Sequence, residues 1–212
     1  MKILVLLFNV LIINALYAQG DGWKYQKTVD GINIYTKTNE GDPIKEVKLQ
    51  VHFNRKMSVV VAGLQDVSSY PKWVYRASYS EKIKAINQWE TIYYNFLDFP
   101  WPLTDRDVVV YNKIEQNAKT KQVLSTSYAK PDATAFKKDI ARISDMRSKW
   151  ILKPEPSGVY AEYFFRSNPG GDFPAWAINA AIDEAPVKTI QGLKKLLESG
   201  KFDKSPNMEI VD

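Results

Sequence analysis

Side chains able to do covalent or metal chemistry are few in this chain. Its 212 residues include one histidine, His52, and no cysteine. A nucleophile–histidine pair would have to be built on His52, which alternates with Lys48 and Gln50 along the polar side of a strand-like run. Metal sites of the usual nitrogen and sulfur type need several such ligands, so none is expected. The ionisable residues that fall together are Arg106–Asp107 and the trio Arg142, Asp145 and Arg147. Neighbours on a strand point to opposite faces, so Arg106 and Asp107 cannot converge on one substrate. A structural role is expected for them, one of the two pairing elsewhere in the sheet. In the trio, Asp145 and Arg147 share a face and Arg142 takes the other unless a bulge intervenes. A buried arginine needs a partner; Arg142 is therefore either a holder of a ligand's polar head or half of an ion pair. Tyr93, Asn95, Glu162 and Arg166 carry the same two readings, head-group contact or ordinary surface. Met146 and Trp150 share a face and read as wall or core. Gly170–Gly171 lacks the spacing of a phosphate loop.

The elements that must position these groups are strands first and a helix last. Residues 31–37 and 44–53 alternate in strand fashion, with Val47, Leu49, Val51 and Phe53 on one face, and residues 39–43 turn between them. Over 57–67 the rhythm becomes helical, with Val60, Leu64 and Val67 in a stripe and Ser58 as a candidate cap. Strands are expected over 78–86, 90–97, 107–115 and 121–128, then over two longer runs, 142–152 and 158–167. Phe99–Pro100–Trp101–Pro102 is a rigid turn or a gate. Pro174 suits a first helical turn, and Ala175, Ala177, Ala180, Ala181 and Ala185 follow. Small side chains there let the helix approach a sheet closely, or leave unfilled volume if it does not. Trp176, Ile178 and Ile182 are candidates for lid or wall. Pro186 forces a kink or restart, after which Val187, Ile190, Leu193 and Leu197 form a stripe that Gly200 ends. The polar tail, 201–212, is expected to fray. Strands, a helical insertion, more strands and a terminal helix describe an α+β domain.

Residues 1–18 stand apart. Lys2 precedes an apolar run over 3–13, and Ala15–Leu16–Tyr17–Ala18 ends in a small residue, the layout of a cleaved secretory signal. The run is short for a membrane span of about 20 residues. Export to a periplasmic or extracellular site is expected, with one domain over 19–200. The formal charge of +5 is mild and scattered. Nucleic-acid binding wants a concentrated basic stripe, and the chain has none.

Five segments in order resemble the START (StAR-related lipid transfer) domain of the helix-grip superfamily: the run from Trp23 to Tyr35 with its DGI; LQDVSSYPKW, ending at Trp73; YYNFLDFPWPLTDRDVVV, from Tyr93; RSKWILKP, from Arg147; and NPGGDFPAWAIN, from Asn168. The third, with FPWPLTDRD, is the most specific. The resemblance implies a helix-grip fold, a curved antiparallel sheet wrapped around a long C-terminal helix with an internal hydrophobic cavity. It also implies a non-enzymatic, monomeric carrier of a lipid, sterol-like or other apolar small molecule, needing no cofactor and touching membrane surfaces transiently. On that reading the ligand-binding candidates are Tyr93, Asn95, Arg142, Met146, Trp150, Trp176, Ala177, Ala180 and Ala181. Tight packing without a cavity, a cyclase- or hydrolase-type helix-grip enzyme, and a protein-interaction module without ligand stay open as alternatives.

Overall fold

The computed structural model describes residues 22–171, 173–204, 206–207 and 209–212. The signal sequence expected over 1–18 lies outside the described residues. The alternating run becomes strand β3, Glu46–Phe53, whose Val47, Leu49, Val51 and Phe53 are at most 2% exposed. It pairs with β2, Ile32–Lys37, and β2 with an edge strand β1, Lys24–Val29. β1 had no signature to read, because its residues are exposed or half-buried and no apolar alternation marks it.

Helix α1, Met57–Gln65, follows, then a short 3₁₀ turn and α2, Tyr70–Trp73. Ser58 does not cap α1. It sits inside the helix, buried, and its backbone N–H donates to Asp212 Oδ1 at 2.8 Å. Strands β4, Ala77–Ala85, β5, Glu90–Leu97, β6, Arg106–Gln116, and β7, Val123–Ala129, form an antiparallel meander. The expected strand over 142–152 is divided. β8, Ala141–Arg142, pairs in parallel with β6, and β9, Asp145–Glu155, starts afresh and pairs with β7 and with β10, Gly158–Asn168. Among the described residues the sheet has ten strands in the order β1-β2-β3-β10-β9-β7-β6-β5-β4, with β8 beside β6.

This curved sheet holds the C-terminal helices. Pro186 marks a restart: α3, Ala175–Ala180, ends first, and α4, Glu184–Glu198, takes Pro186 into its opening turn, where a missing N–H costs nothing. Val187, Ile190, Leu193 and Leu197 are buried as their spacing requires. Gly192 lets α4 press on α2, since a Cβ there would lie 2.6 Å from the Trp73 carbonyl oxygen. The tail does not fray. Phe202 and Ile210 are buried in the core, Asn207 N–H donates to Ser58 O at 3.1 Å, and Val211 N–H donates to Gln116 Oε1 at 3.0 Å. Its apolar residues Phe202, Met208, Ile210 and Val211 show no helical or strand period, so composition alone suggested a loose end.

Candidate ligand-binding cavity

Strand alternation decides which side chains reach the concave side of the sheet. On β6, Val108, Val110 and Asn112 point inward, and Asp107 and Val109 point outward. On β5, Tyr93 and Asn95 point inward with Leu97. Between this inner surface and the start of α4 lies a chamber of 160 Å³, walled also by Trp73, Met146, Trp150 and Tyr163. One buried water claims about 30 Å³ of liquid volume, so the space exceeds a packing defect. Tyr75, Leu97, Ile143, Phe165, Ser167 and Ala185 border both this chamber and a second space of 360 Å³. That outer vestibule is covered by Ala177, Ile178, Ala181 and Ile182 and by Phe99, Pro100 and Leu103.

The inner chamber is mostly apolar, and its polar side chains are neutral. Among the described residues neither Asp, Glu, Lys, Arg nor His lines it. Trp150 stacks on Tyr163 with ring centroids 4.2 Å apart, and Tyr70 meets both Trp73 and Tyr93 edge-on at 5.0 and 5.1 Å. Burial pushes the Tyr93 phenol up to about 12 and holds those of Tyr70 and Tyr163 above their ordinary value, so all three remain uncharged. Tyr70 donates to Leu64 O at 2.7 Å. Asn112 Nδ2 donates to Ser125 Oγ and Ser127 Oγ, each at 2.9 Å. Asn95, 5% exposed, has a carbonyl oxygen without a partner among the described residues, and Trp73, 7% exposed, an indole N–H in the same condition.

Of the residues singled out from the sequence, Tyr93, Asn95, Met146 and Trp150 come together around the inner chamber, and Ala177 and Ala181 border the vestibule. Ala180 lies on the exposed side of α3, and Trp176, 75% exposed, projects outward beside the vestibule cover. Arg142 is placed elsewhere. Its side chain is buried on the convex side of the sheet, paired with Asp107 through Nε to Oδ1 and, at 2.9 Å, through Nη2 to Oδ2. It also donates to Pro131 O at 2.6 Å and Ala135 O at 3.1 Å, so its fork fastens the 131–142 segment over β6. Asp107 is thus the half of the Arg106–Asp107 pair that bonds across the sheet.

Glu162 and Arg166 also face outward, because Tyr163, Phe165 and Ser167 take the inner side of β10. Arg166 grips Asp42 with two bonds of 2.8 and 2.9 Å and contacts Asp145, and that guanidinium draws the Asp42 carboxyl below its usual range. His52 lies on the same outer side, 3.2 Å from Ser157 Oγ and 3.4 Å from Glu155 Oε2. Sequence reading missed Asn112, Ser125, Ser127 and Ser148. A signal existed: each polar residue interrupts an inward row, as Asn112 does between Val110 and Ile114.

A STAR-related lipid transfer protein of Xanthomonas axonopodis has this architecture, with a TM-score of 0.79 and 30% identity covering 84% of this chain and 99% of that one. The chain belongs to the START family. A Pseudomonas aeruginosa protein is 28% identical over 184 residues, covering 85% of this chain and 89% of its own. The phosphatidylcholine transfer protein of Bos taurus is 25% identical over 194 residues, covering 83% and 87%. No family model matches the sequence. The observed cavity occupies the space between sheet and C-terminal helices that the START resemblance led one to expect.

Proposed function

We propose that this START chain is an exported carrier that encloses one lipid-like molecule in the paired chambers and passes it between membranes. The carrying observation is the inner space of 160 Å³ between sheet and α4, walled by aromatic side chains and joined to the vestibule. By cavity energetics, leaving such a volume empty costs about 4 kcal/mol, so an apolar occupant stabilises the fold. The similarity to proteins named for lipid and phosphatidylcholine transfer supports the same reading. The apolar leader over 3–13 supports export, and the absence of a long apolar helix among the described residues fits a chain that visits membranes rather than spans them.

Passage of a ligand requires the vestibule cover to lift. α3 is a short separate helix, and the loop carrying Phe99, Pro100 and Leu103 closes the other side, so either can part without disturbing α4. Native mass spectrometry of the protein purified from its own envelope is expected to show a retained small molecule released on denaturation. A bare polypeptide mass, combined with failure to take up fluorescent sterol and fatty-acyl probes, overturns the carrier reading.

A further inference from the structure

We infer that the inner chamber selects lipids whose buried end carries an uncharged hydroxyl group and discriminates against carboxylate and phosphate ends; this rests on the carrier reading above. Two residues of its wall each carry a buried polar atom without a protein partner among the described residues, one of each kind. Asn95 Oδ1 is an acceptor in search of a proton, and Trp73 Nε1–H is a donor in search of a lone pair. A buried polar group that goes unbonded is costly. A hydroxyl supplies one donor and two acceptor sites, which is what the two vacant positions ask for.

An anionic head finds the opposite of what it needs. Fully ionised, it can only accept hydrogen bonds and leaves Asn95 Oδ1 unbonded, and its charge would be stripped of water with no countercharge in the wall among the described residues. Among the described residues the ionised groups of this region lie outside the lining of the inner chamber: Arg106, buried and with its Nε unbonded, packs against the rings of Phe99 and Phe173 beside the vestibule. Arg142 is turned to the convex side and satisfied by Asp107, Arg166 is held by Asp42 and Asp145, and Arg76 and Glu184 border only the vestibule. The neutral set is continued by Ser125 and Ser127, which accept from Asn112.

The test is a titration of the full chain, followed by tryptophan fluorescence, with probes that share one hydrocarbon body: 1-dodecanol, 1-methoxydodecane, dodecanoate and dodecyl phosphate. The alcohol is expected to bind roughly tenfold or more tightly than the ether, which accepts but cannot donate, and more tightly still than either anion. In Asn95→Leu the preference for alcohol over ether should vanish while the ether binds at least as well as before. An ether bound as tightly as the alcohol by the unaltered protein, or anions bound as tightly as the alcohol, overturns the selectivity and leaves the carrier reading standing. If none of the four probes binds, the carrier reading fails and takes this inference with it.

Discussion

Asp107 and Arg142 show what a charge does when it is folded away from both water and ligand. Their side chains are 1% and 2% exposed, so each depends on the other for its countercharge. Asp107→Ala leaves the guanidinium buried and uncompensated, and a loss of about 3–5 kcal/mol in urea denaturation is expected. Replacing both, as Asp107→Leu with Arg142→Met, should recover most of that loss, because a buried ion pair is often no better than packed apolar side chains. Asp66 gives a pH-dependent counterpart. Burial opposes its ionisation, but bonds from Lys201, Ser68 and Ser69 outweigh burial and hold the carboxyl at about 2, against an ordinary 3.8. A carboxyl depressed on folding contributes stability that is complete above the unfolded value and is lost as pH falls from there through the folded one. Unfolding midpoints should therefore drop between about pH 4 and pH 2, and Asp66→Asn should flatten that part of the profile.

At the level of elements, stability rests on how closely the helices approach one another. With Trp73 backbone atoms at 2.6 and 2.8 Å from where a Cβ would stand, Gly192→Ala must push α4 off α2. Overpacking of this kind costs about 1–3 kcal/mol, and because Trp73 also walls the inner chamber, ligand affinity should fall along with the melting temperature. Most elements were legible from the sequence for the same physical reason that they are stable. Val47, Leu49, Val51 and Phe53 announce β3 by facing a core, and Val187, Ile190, Leu193 and Leu197 announce α4 likewise. β1 was not legible because an exposed edge has no face to hide. β8 was not legible because two residues pairing in parallel with β6 look like the beginning of the longer strand β9. The cavity was half legible: Tyr93, Asn95, Met146 and Trp150 follow from alternation, yet the outward turn of Arg142 depends on that break between β8 and β9. The burial of Phe202 and Ile210 depends on contacts made across the whole chain, which no local pattern encodes.

The whole molecule presents its aromatic residues unevenly, and the unevenness has a use in the proposed transfer. Trp101 is 93% exposed in the loop that contributes Phe99, Pro100 and Leu103 to the vestibule, and Trp176 is 75% exposed on the helix that contributes Ala177 and Ile178. Exposed tryptophans cost solubility when they bury nothing, whereas at a bilayer surface an indole sits well at the headgroup level. Two of them flanking one opening would orient that opening toward lipid, so that the ligand leaves into hydrocarbon rather than water. The net charge of +5 would assist approach to anionic bilayers, each nearby basic residue contributing about 1 kcal/mol. Neither side chain lines the inner chamber, so their loss should separate delivery from binding. Trp101→Ala with Trp176→Ala is expected to slow movement of a fluorescent lipid between vesicles by roughly tenfold or more while leaving its affinity in solution within about twofold. Adding anionic lipid to acceptor vesicles should speed transfer by the unaltered protein, and high salt should cancel that gain. Unchanged transfer by the double variant would mean that the opening does not face the membrane, and the vestibule would have to open from some other side.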